Sequence, residues 1–150
     1  RPKELRLLRI RDVDFAGSRL TIAADIAKNN KTRIVDIPLY LLRELIDKGW
    51  HLMQGDFFLI SKDGTPSLRQ DGKNYLGRHF KKYHRELGFA PEQKFYGIKH
   101  TGVINMIKLD VDWLELKNQL GHHSLDQVMT YGQELMGTSS EKIRSVAKEI

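Results

Sequence analysis

Leu5, Leu7, Leu8 and Ile10 predict a short opening helix over residues 3–10 with one buried face, ended by Asp12-Val13-Asp14. Pro2 suits its first turn, where a helix has no use for the missing N–H. Residues 19–24 and 32–37 are rich in β-branched side chains and predict two strands. Between them, Lys28-Asn29-Asn30-Lys31 predicts a polar turn of the hairpin type. Pro38 then precedes helical apolar spacing over Leu39–Ile46. Phe57-Phe58-Leu59-Ile60 predicts a third strand, and residues 61–67 a loop by composition.

The second half is helical. Residues 71–87 predict a helix stopped by Gly88, with Lys73, Arg78, His79, Lys81, Lys82, His84 and Arg85 on its polar face. After a loop at Ala90-Pro91, a helix is expected from Gly97 to Leu109. Asp112 is placed to cap a helix over residues 113–120, and Gly121 to close it. Ser124 is expected to cap a shorter helix running through Tyr131. Thr138-Ser139-Ser140-Glu141 has the form of a capping box before a last helix to Ile150. The pattern predicts one mainly α domain with a small antiparallel β-sheet near its start, an α+β fold without internal repeats.

Composition narrows the partners. The 150 residues are 40% hydrophobic, enough for one core, and carry 25 Lys and Arg against 19 acids. The net charge of +6 and a pI near 9.5 favour polyanions, either nucleic acid or an anionic membrane surface. No apolar run approaches the roughly 20 residues of a membrane span, and no signal-peptide pattern is present. Cys is absent, which excludes disulfides and thiolate metal sites. That absence is compatible with a reducing cytoplasm.

The densest candidate chemistry is Leu120-Gly121-His122-His123-Ser124-Leu125, with Tyr131 nine residues beyond His122. A phenol can attack a phosphodiester when cations and imidazoles hold the phosphate. Each residue also has a plain structural reading. Arg1 could be a solvated terminal charge, and Lys28 and Lys31 exposed turn residues. Tyr96 could be a core aromatic, Lys99 a surface lysine, His100 a structural histidine and His122 a helix-end residue.

Arg1-Pro2-Lys3-Glu4-Leu5 with Leu8 and Asp12, Lys28 in a hairpin turn, Tyr96-Gly97-Ile98-Lys99-His100, Leu120-Gly121-His122 and then Tyr131 follow in fixed order. In that order they resemble the catalytic domain of the tyrosine recombinases, the phage-integrase family. The resemblance covers nearly the whole chain. It implies the fold of the DNA breaking-rejoining enzymes and site-specific recombination or integration through a 3′-phosphotyrosine link. Arg1, Lys28, Lys99, His122 and Tyr131 then fall on catalytic positions, with Tyr96 and His100 supporting the phosphate. Tyr96 and Lys99 depart from the usual histidine and arginine, a form similar to integrases of Bacteroides-type mobile elements.

The implied roles follow from charge. Preorganised cations stabilise charge developing on phosphate oxygens. Arg1 would clamp two oxygens with its planar fork, and Lys99 would supply a point charge without that fork. Lys28 would protonate the leaving 5′ oxygen. His122 would hydrogen-bond the phosphate, His100 would act as base or ligand, and Tyr131 would attack. No metal or other cofactor is implied. The implied partners are double-stranded DNA and further copies of the enzyme, as a tetramer on DNA, in a bacterial cytoplasm and away from membranes. The segment after Tyr131 would dock on a neighbouring subunit. A DNA-clamping domain upstream of Arg1 is expected to be missing from this stretch. The rival readings are a degenerate DNA-binding relative that does not cut, a basic module for a protein or membrane partner, and a type IB topoisomerase-like enzyme.

Overall fold

The first half is organised around a three-stranded antiparallel sheet in the order β1-β2-β3. In the computed structural model, which describes residues 1–62 and 64–136, β1 is Val13–Asp14, β2 is Arg19–Ile22 and β3 is Arg33–Asp36. Val13 pairs with Leu20, and Leu20 in turn with Val35. Helix α1 (Pro2–Leu7) precedes the sheet, a 3-10 turn at Ile10–Asp12 leads into it, and α2 (Leu39–Asp47) follows it. Further on lie α3 (Tyr75–Glu86), α4 (Gly97–Lys108), α5 (Trp113–Leu120) and α6 (Asp126–Met136). The mainly helical architecture with a small antiparallel sheet is the one expected from the sequence.

The chain divides into two compact units, residues 1–97 and residues 98 onward. In the first, Leu8, Ile10, Val13, Ile22, Ala27, Ile37, Leu42 and Leu59 form the buried core, with Trp50 and Phe57 packed against it. In the second, Val103 from α4, Leu116 and Leu120 from α5 and Val128 from α6 make a smaller core. Val103, Leu116 and Val128 are fully buried. Burying a Val or Leu side chain stabilises a fold by roughly 1.5–3 kcal/mol, so these few residues hold three short helices together.

Several local expectations change. Residues 57–60 do not form a third strand. Phe58 makes single antiparallel bridges to Arg9 on one side and Ser67 on the other. Phe58 and Leu59 are both buried, so the run lacks the in-out alternation of a half-exposed strand. The third strand is instead Val13–Asp14, read from the sequence as a helix terminator. Asp14 makes the turn after it, its Oδ1 accepting the Gly17 N–H at 2.8 Å. A Cβ at Gly17 would collide with Asp14 Oδ2.

The connection from β2 to β3 is a loop over residues 23–32, longer than the expected hairpin turn. The opening helix stops at Leu7, and α3 starts at Tyr75 rather than residue 71. The Asp71 carbonyl is taken instead by Arg6 Nη1 at 3.0 Å. Ser124 does not border α6. The Leu125 carbonyl accepts the first helical bonds, from Val128 and Met129, and the helix continues past Tyr131 to Met136. The expected capping box at 138–141 and the last helix lie outside the described residues.

Candidate active site

In the first unit, Arg1, Lys28 and Tyr96 line one pocket, together with Pro2, Lys3 and Glu4. Glu4 organises it. This carboxylate, on the first turns of α1, is 1% exposed. Its Oε1 accepts from Arg1 Nη1 at 3.0 Å and from the Lys28 backbone N–H at 3.1 Å. Arg33 on β3 holds both oxygens, with Nη2 at 2.6 Å from Oε2 and Nη1 at 3.3 Å from Oε1. Burial alone would raise the pKa of this carboxyl. The Arg33 hydrogen bond, then the Lys28 amide and then the Arg1 hydrogen bond outweigh burial and lower it from 4.5 to about 2.

One carboxylate therefore ties the helix start, the β2–β3 loop and β3 together. Ala27, 1% exposed, anchors the loop in the core just before Lys28. The Lys28 side chain is exposed while its amide is pinned. Tyr96 is 45% exposed and faces this pocket, so the core-aromatic reading of it does not hold.

The second unit gathers the other residues. His100, His122 and Tyr131 line a common pocket with Gln127 and Thr130. Lys99 Nζ lies 3.4 Å from His122 Nε2. An ammonium can only donate, so in this pair the His122 Nε2 lone pair accepts. The His100 and Tyr131 rings are 5.2 Å apart between centroids, tilted by 46°.

Local sequence explains the placement. Lys99 stands one turn before the fully buried Val103 on α4, which turns it toward the unit's interior. Asp112 Oδ1 caps α5 through the Leu114 and Glu115 amides, at 2.8 and 3.2 Å. Gly121, at φ 63°, ends α5 in the left-handed conformation. The His122 N–H then reaches back to the Lys117 carbonyl at 3.0 Å, which sets the direction of the histidine. Tyr131 packs against the Val103–Leu116–Leu120–Val128 cluster. His123, exposed, is a surface residue.

A further basic pocket lies in the first unit. Lys62, Arg69, Arg78, His79 and Lys82 line it with Gln70, Asp71, Gly72 and Tyr75. The Tyr75 hydroxyl shares its one hydrogen between the Ser61 and Lys62 carbonyls, at 3.0 and 3.1 Å, fastening the loop to α3. Among the described residues, no cluster of three or more His, Asp or Glu could hold a metal ion. No helix among them is long and apolar enough to cross a membrane.

Sequence reasoning missed Arg33, which it read only as a residue of the strand over 32–37, and gave Glu4 no role beyond its place in the Arg1-Pro2-Lys3-Glu4-Leu5 motif. A buried carboxylate with several cationic partners is a tertiary feature. The hint in the sequence was a charged residue, Arg33, within the β-branched strand predicted over 32–37; the structure pairs it with core residue Ile22.

The model of the phage integrase family matches residues 1–137. Solved structures share the fold at low identity. The XerA recombinase matches with TM-score 0.67 and 18% identity, over 99% of this chain and 52% of its own. A XerH site-specific recombinase bound to a palindromic difH substrate, in a post-cleavage complex, matches with TM-score 0.68 and 19% identity, over 99% and 42%. The Tn1549 transposon integrase in complex with a circular intermediate DNA matches with TM-score 0.65 and 15% identity, over 100% and 54%. The chain thus spans about half the length of these proteins. No curated protein sequence matches it significantly.

Proposed function

The chain belongs to the phage integrase family, and from that premise we propose that it is the catalytic part of a site-specific DNA recombinase of mobile-element type, with Tyr131 as nucleophile. One observation carries the reading: Tyr131 shares a pocket with His100 and His122, and Lys99 reaches His122. A phenol, an imidazole pair and an ammonium within one small unit supply a nucleophile, a base and a cation for phosphodiester cleavage.

In the proposed step, the Tyr131 Oη attacks phosphorus and forms the P–O bond of a 3′-phosphotyrosine. The P–O5′ bond breaks, and the O5′ takes a proton from Lys28. His100 receives the phenol proton. Arg1 and Lys99 neutralise the charge growing on the non-bridging oxygens, and His122, in the tautomer that carries its proton on Nε2, donates a hydrogen bond to one of them. An entering phosphate replaces His122 Nε2 as the acceptor for Lys99. The phosphotyrosine link keeps the bond energy, so a 5′-hydroxyl from another strand reverses the step and rejoins DNA.

A free phenol has a pKa of about 10, so nearby cations and a base are what make Tyr131 useful as a nucleophile. The pocket of Lys62, Arg69, Arg78, His79 and Lys82 supports a duplex DNA partner through sequence-blind phosphate contacts. By resemblance we extend the proposal to a Bacteroides-type subgroup carrying Tyr96 and Lys99, a tetramer on DNA, an upstream DNA-clamping domain and a cytoplasmic, DNA-associated location in bacteria.

The test is a pool of nicked duplexes of random sequence, which traps cleaved strands because the nicked end is lost. A covalent protein–DNA adduct that disappears in Tyr131→Phe is the expected result, and sequencing the trapped strands gives the target. DNA binding without any adduct would favour the non-cutting relative that the Tyr96 and Lys99 departures suggest. Equal binding to anionic vesicles and duplex DNA would favour the interaction module.

A further inference from the structure

Gly132 follows Tyr131 in the middle of α6 and is buried. A Cβ at this position would collide with Trp113 Cη2, and would lie 3.2 Å from Cζ3 and 3.4 Å from Cζ2. Non-bonded carbons settle at about 3.5–4.0 Å, so the six-membered ring of the indole occupies the space any other side chain would need. Glycine is a poor helix former, and its place inside α6 calls for a packing reason. The indole supplies one.

Trp113 is itself held in place. It is the first residue of α5, directly after the Asp112 cap, and it packs on the Val103–Leu116–Leu120–Val128 cluster. An indole is a rigid plate with two torsions, so it works as a spacer between the start of α5 and the backbone of α6. The spacer meets α6 at the residue next to the phenol. On its own side, Tyr131 meets the His100 ring at 5.2 Å.

We propose that Trp113, seated on Gly132, is a positioning residue that sets where the Tyr131 phenol stands relative to His100 and His122. The proposal rests on the reading of Tyr131 as nucleophile. Trp113 touches no reacting atom and acts through the helix that carries Tyr131. In-line attack needs the oxygen at about 3–3.5 Å from phosphorus, and a misplacement of about 1 Å can cost on the order of 100-fold in rate. Without this contact, Gly132→Ala would be a favourable change in a helix interior. With it, the methyl drives the indole and α6 apart.

The experiment compares Gly132→Ala, Trp113→Leu, Trp113→Phe and the Gly132→Ala/Trp113→Leu pair in the full-length protein. Adduct formation on the nicked random-sequence duplexes is measured at saturating DNA, beside duplex affinity and melting temperature. Gly132→Ala is expected to lower the cleavage rate by about 10–100-fold with affinity held and melting somewhat lowered by the overpacking, and the pair is expected to recover most of both. Wild-type cleavage by Gly132→Ala, or a pair no faster than that single variant, overturns the proposal. If Gly132→Ala does not fold, Trp113→Phe decides: a slower rate in a protein of unchanged melting supports the spacer, and an unchanged rate overturns it.

A second readout needs no cleavage. In protein with 13C-labelled tyrosine rings, the Tyr131 signals, assigned through Tyr131→Phe, are expected to move in Gly132→Ala and return in the pair. Signals that stay fixed overturn the proposal. A wild-type protein that forms no adduct refutes the nucleophile reading instead, and the ring signals still judge the spacer.

Discussion

Arg33 grips Glu4 through both carboxylate oxygens, at 2.6 and 3.3 Å, with both side chains largely buried. The Glu4 Oε1 that takes the weaker of these bonds also holds Arg1 and the amide of Lys28. Two residues proposed for catalysis are thus attached to one carboxylate that is not itself proposed to touch substrate.

Breaking that pair strands a buried charge. Glu4→Gln and Arg33→Met are each expected to cost about 3–5 kcal/mol, read from urea denaturation. Replacing both by apolar residues of similar volume should cost less than either single change. Single-variant losses below about 1 kcal/mol would show that the pair contributes little.

Glu4 also predicts an acid limit. Its pKa is lowered from 4.5 to about 2, so folding is stabilised where the unfolded carboxyl is ionised and the folded one remains so. That contribution, about 3 kcal/mol, is complete above about pH 4.5 and is lost as pH falls toward 2. Urea titrations between pH 2 and 7 should show a slope over that window that is reduced in Glu4→Gln.

Lys28 is expected to be the proton donor to the leaving oxygen. Lys28→Ala should slow cleavage by roughly 10²–10⁴-fold on a normal strand. On a strand with sulfur in place of the bridging 5′ oxygen, which leaves without a proton, the variant should approach the wild-type rate. An equal defect on both strands would remove Lys28 from that role.

Lys99 is proposed to contribute charge rather than fork geometry. Lys99→Ala is expected to reduce adduct formation by on the order of 10²-fold, the usual effect of losing one donor to a developing oxyanion. Lys99→Arg keeps the charge and should retain most of the rate. An alanine variant as fast as wild type would return Lys99 to the surface-lysine reading.

The basic pocket beside α3 predicts a salt effect. Affinity for random-sequence duplex should fall linearly with salt on logarithmic axes, with a steepness of about 0.9 for each phosphate that a cation neutralises. Arg69→Ala and Arg78→Ala each leave up to one phosphate without its cation, and each is expected to make the line shallower by that amount. An unchanged slope in both would place the DNA backbone elsewhere.

Much of the helical frame was legible from local signals. Asp112 and Gly121 bracket α5 as read, because caps are decided by the residue and its nearest amides. The apolar spacing over 39–46 marks α2 almost to the residue. The strand at Val13–Asp14 was not legible, since two residues carry no period and its pairing comes from Leu20 and Arg19. Phe57–Ile60 misled for the opposite reason: an apolar run looks the same whether it extends a sheet or crosses between two neighbours as core.

The order and kind of the proposed site residues, from Arg1 to Tyr131, were set by the amino-acid sequence alone, because motif spacing is a property of the chain. So were the positive charge and the helix ends that aim His122. The chain's folding decided the rest: the burial of Glu4 against Arg33, the approach of Lys99 to His122 and the seat of Trp113 on Gly132. These contacts join residues 29, 23 and 19 positions apart. Their worth comes from pairing polar groups that folding takes out of water and from burying ring surface, which no local pattern of residues encodes.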